Sequence, residues 1–331
     1  KFLLFKGRLC AFGLMQALLG EVRFQRYLGN WQCRKLMEDY NNSSSSEEES
    51  AIIYFADGRI ISGGLSDRLI GIVSLYTYCR EHSLTFKVYF STPFNLEDYL
   101  HPNTYDWRIE YRKLVFDRKL ARPVIIRHAS DGVNIYNQTV GKYSNRYRQL
   151  HVYTNAMYNP DCFKQMFNEL FKPNDAIADL VNEHIARMEG SYITATFRFQ
   201  QLLGDFKERD YIILPPSERK QLIDKCLLFI SRIRKENKSA KYILVTSDSK
   251  SFLQIVSNSF SFVHTIPGEI FHPDYSQDSG KLSYIKSFVD MFMISHARKA
   301  YNYSTGMMLS SSGFAKNAAR IGGVEYEHVH E

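Results

Sequence analysis

Short apolar runs rich in β-branched and aromatic residues alternate with amphipathic stretches along most of this chain, and that alternation admits few folds. The first run is Ala51-Ile52-Ile53-Tyr54-Phe55. Gly58 and the pair Gly63-Gly64 follow it. Leu69, Ile72, Val73, Tyr76 and Cys79 then recur at helical spacing over 67–81, and residues 85–90 alternate like a strand. Strand, glycine-rich turn, helix, strand is the repeating unit of a parallel sheet. Further strands are expected at 124–126 and 150–153, and helices over 162–171 and 175–188. A second series opens at 191–199 with Tyr192-Ile193-Thr194-Ala195-Thr196-Phe197. It continues with a long amphipathic helix over 217–237, preceded by Pro215-Pro216 as suits a helix start. Strands are expected at 241–246, 262–266 and 301–309, and helices over 249–258, 282–298 and 313–322.

At 331 residues the chain is long enough for two domains, each burying its own core. The expected division is an N-terminal helical segment and polar linker over 1–50, a first Rossmann-like domain over 51–190 and a second over 191–331. The linker is marked by Asn41-Asn42 and the run Ser43 to Ser50, which is polar and of low complexity. The fold class is therefore α/β: two facing nucleotide-binding-type domains with parallel sheets and a cleft between them. In open sheets of this kind ligands bind beyond the carboxyl ends of the strands.

The formal charge of +7 comes from 42 basic and 35 acidic residues spread along the chain. A nucleic-acid binder concentrates its basic residues in a stripe, so no nucleic-acid partner is expected. What remains is a solvated basic surface, or attraction to an anionic substrate or an acidic membrane surface. Cys10, Cys33, Cys79, Cys162 and Cys226 are odd in number and none lies in CxxC spacing, which argues against a zinc site and a disulfide framework. A reducing compartment fits that usage. No apolar run approaches the ~20 residues of a membrane-spanning helix. Lys1-Phe2-Leu3-Leu4-Phe5 begins like a secretion signal but is interrupted by Lys6, Gly7 and Arg8. The alternatives there are a helix packed on the body or a peripheral amphipathic helix at a membrane surface.

Four motifs carry the polar chemistry. In Ser62-Gly63-Gly64-Leu65-Ser66-Asp67-Arg68-Leu69, paired glycines between a strand and a helix let backbone approach a ligand, and the helix start offers unpaired N–H groups. Asp67 there is either a helix cap or a cleft residue. Neither a P-loop nor GxGxxG spacing is present, which excludes the corresponding phosphate and dinucleotide sites. In Thr196-Phe197-Arg198-Phe199, a guanidinium sits within an apolar strand. It has either a buried acidic partner or a place at the strand end facing a diphosphate, which its planar fork grips at two points. In Val245-Thr246-Ser247-Asp248-Ser249, a buried strand delivers hydroxyls and the Asp248 carboxylate to its end, to bind ribose or a base edge, or to cap the next helix. Last, Asp290 lies mid-helix among apolar neighbours and needs an amide or amine partner, which a guanine edge could supply. Ser310-Ser311-Ser312-Gly313-Phe314 beyond it forms an anion-binding nest at a helix start.

Taken in order, GGLSDRL, the strand with Phe197-Arg198-Phe199 and Gly204-Asp205, Thr246-Ser247-Asp248-Ser249 and the stretch from Asp290 to Ala315 resemble the clan of α1,2-, α1,6- and protein O-fucosyltransferases. The likeness spans roughly 51–322. It implies a GT-B fold, GDP-fucose as donor, a glycan acceptor, inversion at the anomeric carbon, and neither cofactor nor bound metal. It places Arg198 on the diphosphate, Asp290 near the nucleotide, Ser311, Ser312 and Phe314 around the phosphates, and Gly63, Gly64 and Asp67 at the cleft, with Asp248 at the strand-end pair. This sequence departs from the pattern at Thr196, where the clan has His, at Ser66-Asp67, and at Gln200-Gln201-Leu202-Leu203 before Asp205.

In such a transfer negative charge grows on the departing diphosphate, and donors aimed at it supply the largest catalytic contribution. Arg198 and the serine nest fill that role. Candidates for the base are Asp67, His128, Asp131 and Asp205. The alternatives are a GT-B transferase for another nucleotide sugar, and a non-catalytic nucleotide- or glycan-binding module. The expected location is cytoplasmic, peripheral to the inner membrane.

Overall fold

The structure, a computed structural model, describes residues 20–41, 49–127, 132–206, 212–274, 283–310 and 312–331. The first 19 residues, with Cys10, lie outside that set, as do His128, Asp131, Ser311 and most of the polar linker. In chain order the main elements are α1 (Glu21–Leu36), β1 (Ala51–Ala56), α2 (Leu65–Glu81), β2 (Phe86–Phe90), β3 (Leu100–Pro102), β4 (Ala121–Ile126) and β5 (Gln149–Thr154). They continue with α3 (Phe163–Leu170), β6 (Phe171–Pro173), α4 (Asp175–Arg187), β7 (Tyr192–Phe197), α5 (Pro216–Glu236), β8 (Tyr242–Ser247) and α6 (Lys250–Ser259). The last are β9 (Val263–His264), α7 (Ile285–Ser295), β10 (Lys299–Ser304), α8 (Phe314–Gly322) and β11 (Glu325–His330).

The chain separates into two compact units. The first holds the chain up to Ser62, Asp67–Thr92 and Asp106–Cys162; the second holds Gly63–Ser66, Pro93–Tyr105 and Phe163–Glu331. Contacts thus divide the chain at Cys162 rather than near residue 190. The reason is packing: α3 lies against α8, and α4 against α7. The segment 93–105 joins the second unit through β3, which pairs antiparallel with β6, and through ring contacts of Phe94 with Tyr284 at 4.5 Å and Tyr99 with Phe288 at 4.7 Å.

In the first unit four parallel strands run in the order β2-β1-β5-β4. All six residues of β1 are buried, which is why the strand reads as an unbroken apolar run rather than an alternation. The sheet also buries a histidine. Tyr40, just beyond α1, has its hydroxyl 2.6 Å from His151 Nδ1, and the other ring nitrogen lies 3.2 Å from Gln149 Oε1. A carboxamide oxygen only accepts, so Nε2 carries the proton and Nδ1 accepts from Tyr40. Burial, aided by the Arg59 charge, holds His151 neutral, its pKa pushed down to about 3.

In the second unit five parallel strands run in the order β11-β10-β7-β8-β9, with β7 in the middle. Alternate β7 residues Ile193, Ala195 and Phe197 join Phe229 and Ile230 of α5 and Phe252 and Val256 of α6 in one apolar cluster, where Phe229 stacks on Tyr303 at 4.3 Å. Helix starts follow the sequence signals. Asn174 caps α4 by accepting from the Ile177 amide at 2.9 Å, Ser249 caps α6 through Phe252 at 3.1 Å, and Pro216 opens α5. Two elements are shorter than expected: the strand foreseen over 301–309 stops at Ser304, where the chain turns, and that over 262–266 is only Val263–His264. The edge strand β11 was not foreseen. Its Glu-Tyr-Glu-His-Val-His pattern is largely exposed, and Lys299 neutralises Glu325 and Glu327 beside it, so it lacks the apolar run that marks the inner strands. No described helix is long and apolar enough to cross a membrane.

Helices α7 and α8 approach closely at Gly322, where a Cβ would lie 1.8 Å from the Ser295 carbonyl oxygen. Backbone has to move to accommodate any side chain there. Gly322→Ala is expected to cost about 3 kcal/mol, the upper end of overpacking penalties, read as a lower urea midpoint at unchanged slope.

His184 of α4 and His264 of β9 bond ring to ring at 2.9 Å, Nδ1 to Nε2. Burial, then the partner ring and Arg187, pushes His264 down to about 4; burial and Arg187 also lower His184. The folded-state values lie below the unfolded ones, so the unfolded chain takes up the extra protons. The stability this pair contributes is complete above about pH 6.5 and is lost as pH falls from there through about 4. Urea midpoints measured from pH 7.5 to 4.5 should drop across that window, and His264→Gln should flatten the drop.

Candidate functional site

The second unit gathers its polar groups at the carboxyl edge of its sheet. Phe197 pairs with Ser247 in register, so Arg198 and Asp248 are the next residues to leave β7 and β8. Their side chains meet, Arg198 Nη1 donating to Asp248 Oδ2 at 2.7 Å. The same carboxylate accepts from the Phe199 amide at 2.9 Å through Oδ1 and from the Gln200 amide at 2.7 Å through Oδ2. Burial pushes the Asp248 carboxyl above the usual range, opposed by the Arg198 charge and the two amides. Three donors converging on one group nonetheless suit only the ionised form. The chain turns sharply here: Gln200 has φ of 57°, a left-handed conformation that costs a non-glycine residue about 1 kcal/mol.

Arg198 is fixed on a second side, its guanidinium 4.8 Å from the Phe206 ring centre. It keeps 18% of its side-chain surface open, against 2% for Asp248. Arg198 thus has a buried acidic partner and lies at the strand end. Asp248 resolves otherwise. It is neither a helix cap nor a group turned to a ligand, because its oxygens are spent on the turn after β7. The cap of α6 is Ser249, and Asp205 reinforces it by accepting from Ser249 Oγ, Ser251 N and Ser251 Oγ, each at 2.8 Å. That work accounts for Asp205, which sequence reasoning had held as a candidate base. Thr196, where the resembling clan has His, donates to or accepts from Thr246 at 2.8 Å and is buried.

The glycine segment Gly63–Ser66 belongs to the second unit. Gly63 has φ of 84°, open only to residues without a Cβ at low cost, and its amide donates to Asp274 at 3.0 Å. Gly64 leads into α2. Ser66 donates to the Gly313 carbonyl at 3.3 Å, and Asn317 Nδ2 donates to both Ser66 Oγ and that carbonyl at 2.8 Å. The segment is therefore stapled to the first turn of α8. Asp67 is the third residue of α2, inside its first turn rather than at the cap position, and it falls in the first unit.

Helix α8 opens at Phe314 after Gly313, with no side-chain cap. Its first-turn amides carry the helix's positive end. Ser310 is exposed and Ser312 half-buried beside it. Asp290 proves to have an amine partner from its own helix: Lys286, four residues back, donates to Oδ2 at 2.8 Å, with both side chains buried. Burial raises the Asp290 carboxyl, opposed by Lys286. Asp290 Oδ1, Thr194 Oγ1 and both amide atoms of Asn302 are buried with no hydrogen-bond partner among the described residues. The i,i+4 spacing of Lys286 and Asp290 was a readable signal. Asn302, in an apolar strand beside Thr196 in register, was another of the kind that singled out Arg198. Asp274 and Asn317 gave none, being ordinary polar residues until the fold brings them together.

Among the described residues no group of three or more His, Cys, Asp or Glu side chains could hold a metal ion. A guanidinium and a helix N-terminus thus lie at the same edge of one parallel sheet.

The fold is that of fucosyltransferases, a mixed α/β architecture with parallel sheets, the class that the sequence motifs resemble. The α-1,6-fucosyltransferase NodZ co-crystallised with GDP matches at a TM-score of 0.52 and 13% identity, over 82% of this chain and 92% of that one. NodZ soaked with GDP-fucose matches at 0.50 and 13%, over 83% and 93%, and the selenomethionine form of NodZ from Bradyrhizobium at 0.50 and 12%, over 82% and 92%. No protein-family model matches the chain, and no curated protein matches it in sequence.

Asp248→Asn would turn N–H groups against the Phe199 and Gln200 amides and strip Arg198 of its counter-charge. It is expected to cost about 3 kcal/mol of stability, as for one member of a largely buried ion pair. Loss of the Ser249 cap in Ser249→Ala should cost about 1 kcal/mol. Chemical denaturation of the two variants side by side checks the ratio.

Proposed function

We propose that this chain is a glycosyltransferase that moves fucose from GDP-fucose to a hydroxyl of a glycan acceptor, with inversion and without a metal ion. The observation that carries the reading is Arg198, a guanidinium fixed by Asp248 and Phe206 at the end of the central strand. A planar fork held in this way is suited to a diphosphate. The uncapped start of α8, with Ser310, Ser312 and Phe314, supplies further N–H and O–H donors at the same sheet edge, and Gly63 is held against its neighbouring loop. Both sets of donors are preorganised, and would take up the charge that grows on the β-phosphate as the glycosidic bond breaks. Asp290 offers an unspent buried oxygen for donors on a guanine edge. The crystals of NodZ with GDP and with GDP-fucose support the donor assignment by likeness of fold.

One observation favours a second reading, a nucleotide-binding module that does not transfer. Thr196 stands where the clan has His, and its hydroxyl is paired with Thr246.

Thermal shifts with GDP, UDP, ADP and CDP, in EDTA and again with Mn²⁺, test the proposal. GDP alone should raise the Tm, equally with and without metal; at a hundredfold excess over Kd the gain is about 2.7 kcal/mol. Arg198→Lys keeps a charge beside Asp248 but loses the fork, and should weaken GDP at least about tenfold. A shift with UDP, or one that needs Mn²⁺, overturns the donor assignment. GDP binding with no fucose transfer to any acceptor glycan would establish the module instead.

A further inference from the structure

The second unit also has a cavity of about 460 Å³, within the usual range for small-molecule sites. It lies at the other end of the sheet. Its wall includes Ser295 and His296 at the close of α7, just before β10 begins at Lys299, and Gly322 at the close of α8. Arg198 and the first turn of α8 lie at the carboxyl end. The nine residues of α8 run from one place to the other, about 13 Å along the helix axis. The cavity is therefore separate from the site above.

Its chemistry is one-sided. Lys164, Lys172 and His296 line it together with the carboxamides of Asn168 and Asn182, and among the described residues no carboxylate does. Lys164 is anchored by donating to the Gly322 carbonyl at 2.6 Å, which leaves two of its three N–H donors. Lys172 is exposed on β6. His296 Nδ1 lies 2.7 Å from the Phe292 carbonyl, which only accepts, so the neutral ring presents Nε2 as an acceptor. The floor is apolar, formed by Phe171, Val181, Phe292 and Ile321. Two lysines in a lining without a described carboxylate select an anion. Amides and an imidazole acceptor match several hydroxyl groups, and the apolar floor matches the C–H face of a sugar ring.

We infer that this cavity binds an anionic saccharide, its carboxylate or phosphate held by Lys164 and Lys172 and its hydroxyls by Asn168, Asn182 and His296. The inference deepens the glycosyltransferase reading by giving the second unit a glycan-holding site away from the donor, and it rests on that reading for the choice of saccharide over other anions. Such a site would hold an acidic acceptor chain, or a chain already extended, to the enzyme during successive transfers.

Isothermal titration of the whole chain with a uronic-acid disaccharide, a hexose phosphate and the matching neutral disaccharide tests it. Both charged sugars, or one of them, should bind, and the neutral one should bind at least about tenfold more weakly. Binding of only one identifies the anion as carboxylate or phosphate. Lys172→Glu, a change at an exposed position, should abolish that binding and leave the GDP thermal shift intact, whereas Arg198→Lys should do the reverse. Absence of binding by either charged sugar, equal binding of the neutral one, or binding untouched by Lys172→Glu overturns the proposal. Failure of GDP to bind, with saccharide binding intact, would overturn the donor reading alone.

Discussion

A buried carboxylate organises the carboxyl edge of the second sheet. Asp248 accepts from two consecutive amides and from Arg198, so one side chain closes the turn after β7, holds Gln200 in a left-handed conformation and aims the guanidinium. An ionised group taken from water is tolerated only where several donors replace its hydration. Here those donors are the groups that shape the site, so the energy that keeps the carboxylate ionised is the same energy that keeps the arginine in place. Phe206 packs against another side of the guanidinium.

The polar residues around this clamp divide into those that build and those that remain available. Ser247, Ser249, Ser251 and Asp205 form a closed set of bonds around the start of α6. The start of α8 is arranged differently. It has no side-chain cap, and Ser66 and Asn317 hold the Gly313 carbonyl rather than covering the first-turn amides. Two helices that start at the same edge of one sheet thus differ, among the described residues, in how their orphan amides are met.

The parallel architecture was legible because both of its signals are local. Buried parallel strands are continuous apolar runs, as in β1 and β7, and the start of α5 was announced by Pro215-Pro216. Arg198 was legible for the opposite reason, as a charge where a strand allows none. Asp248 was located but misread, because the sequence shows a carboxylate at a strand end and not the amides folded around it. The partner of Asp290 was one helical turn away and was attributed to a ligand instead. The division of the chain was the least legible feature. Helices α3 and α4 carry the same amphipathic signal whichever sheet they cover, and only their contacts with α7 and α8 assign them. The strand β11 escaped because an exposed edge needs no apolar face.

The central position of β7 has a consequence for how such a chain is made. Thr196 is joined in register on one side to Thr246 and on the other to Asn302, a residue far later in the chain. During synthesis β7 leaves the ribosome long before its second neighbour exists, and loop closure over that distance is slow. The middle of this sheet is thus held open until β10 has been made, and a chain cut short before β10 would expose an apolar strand edge on the very element that carries Arg198.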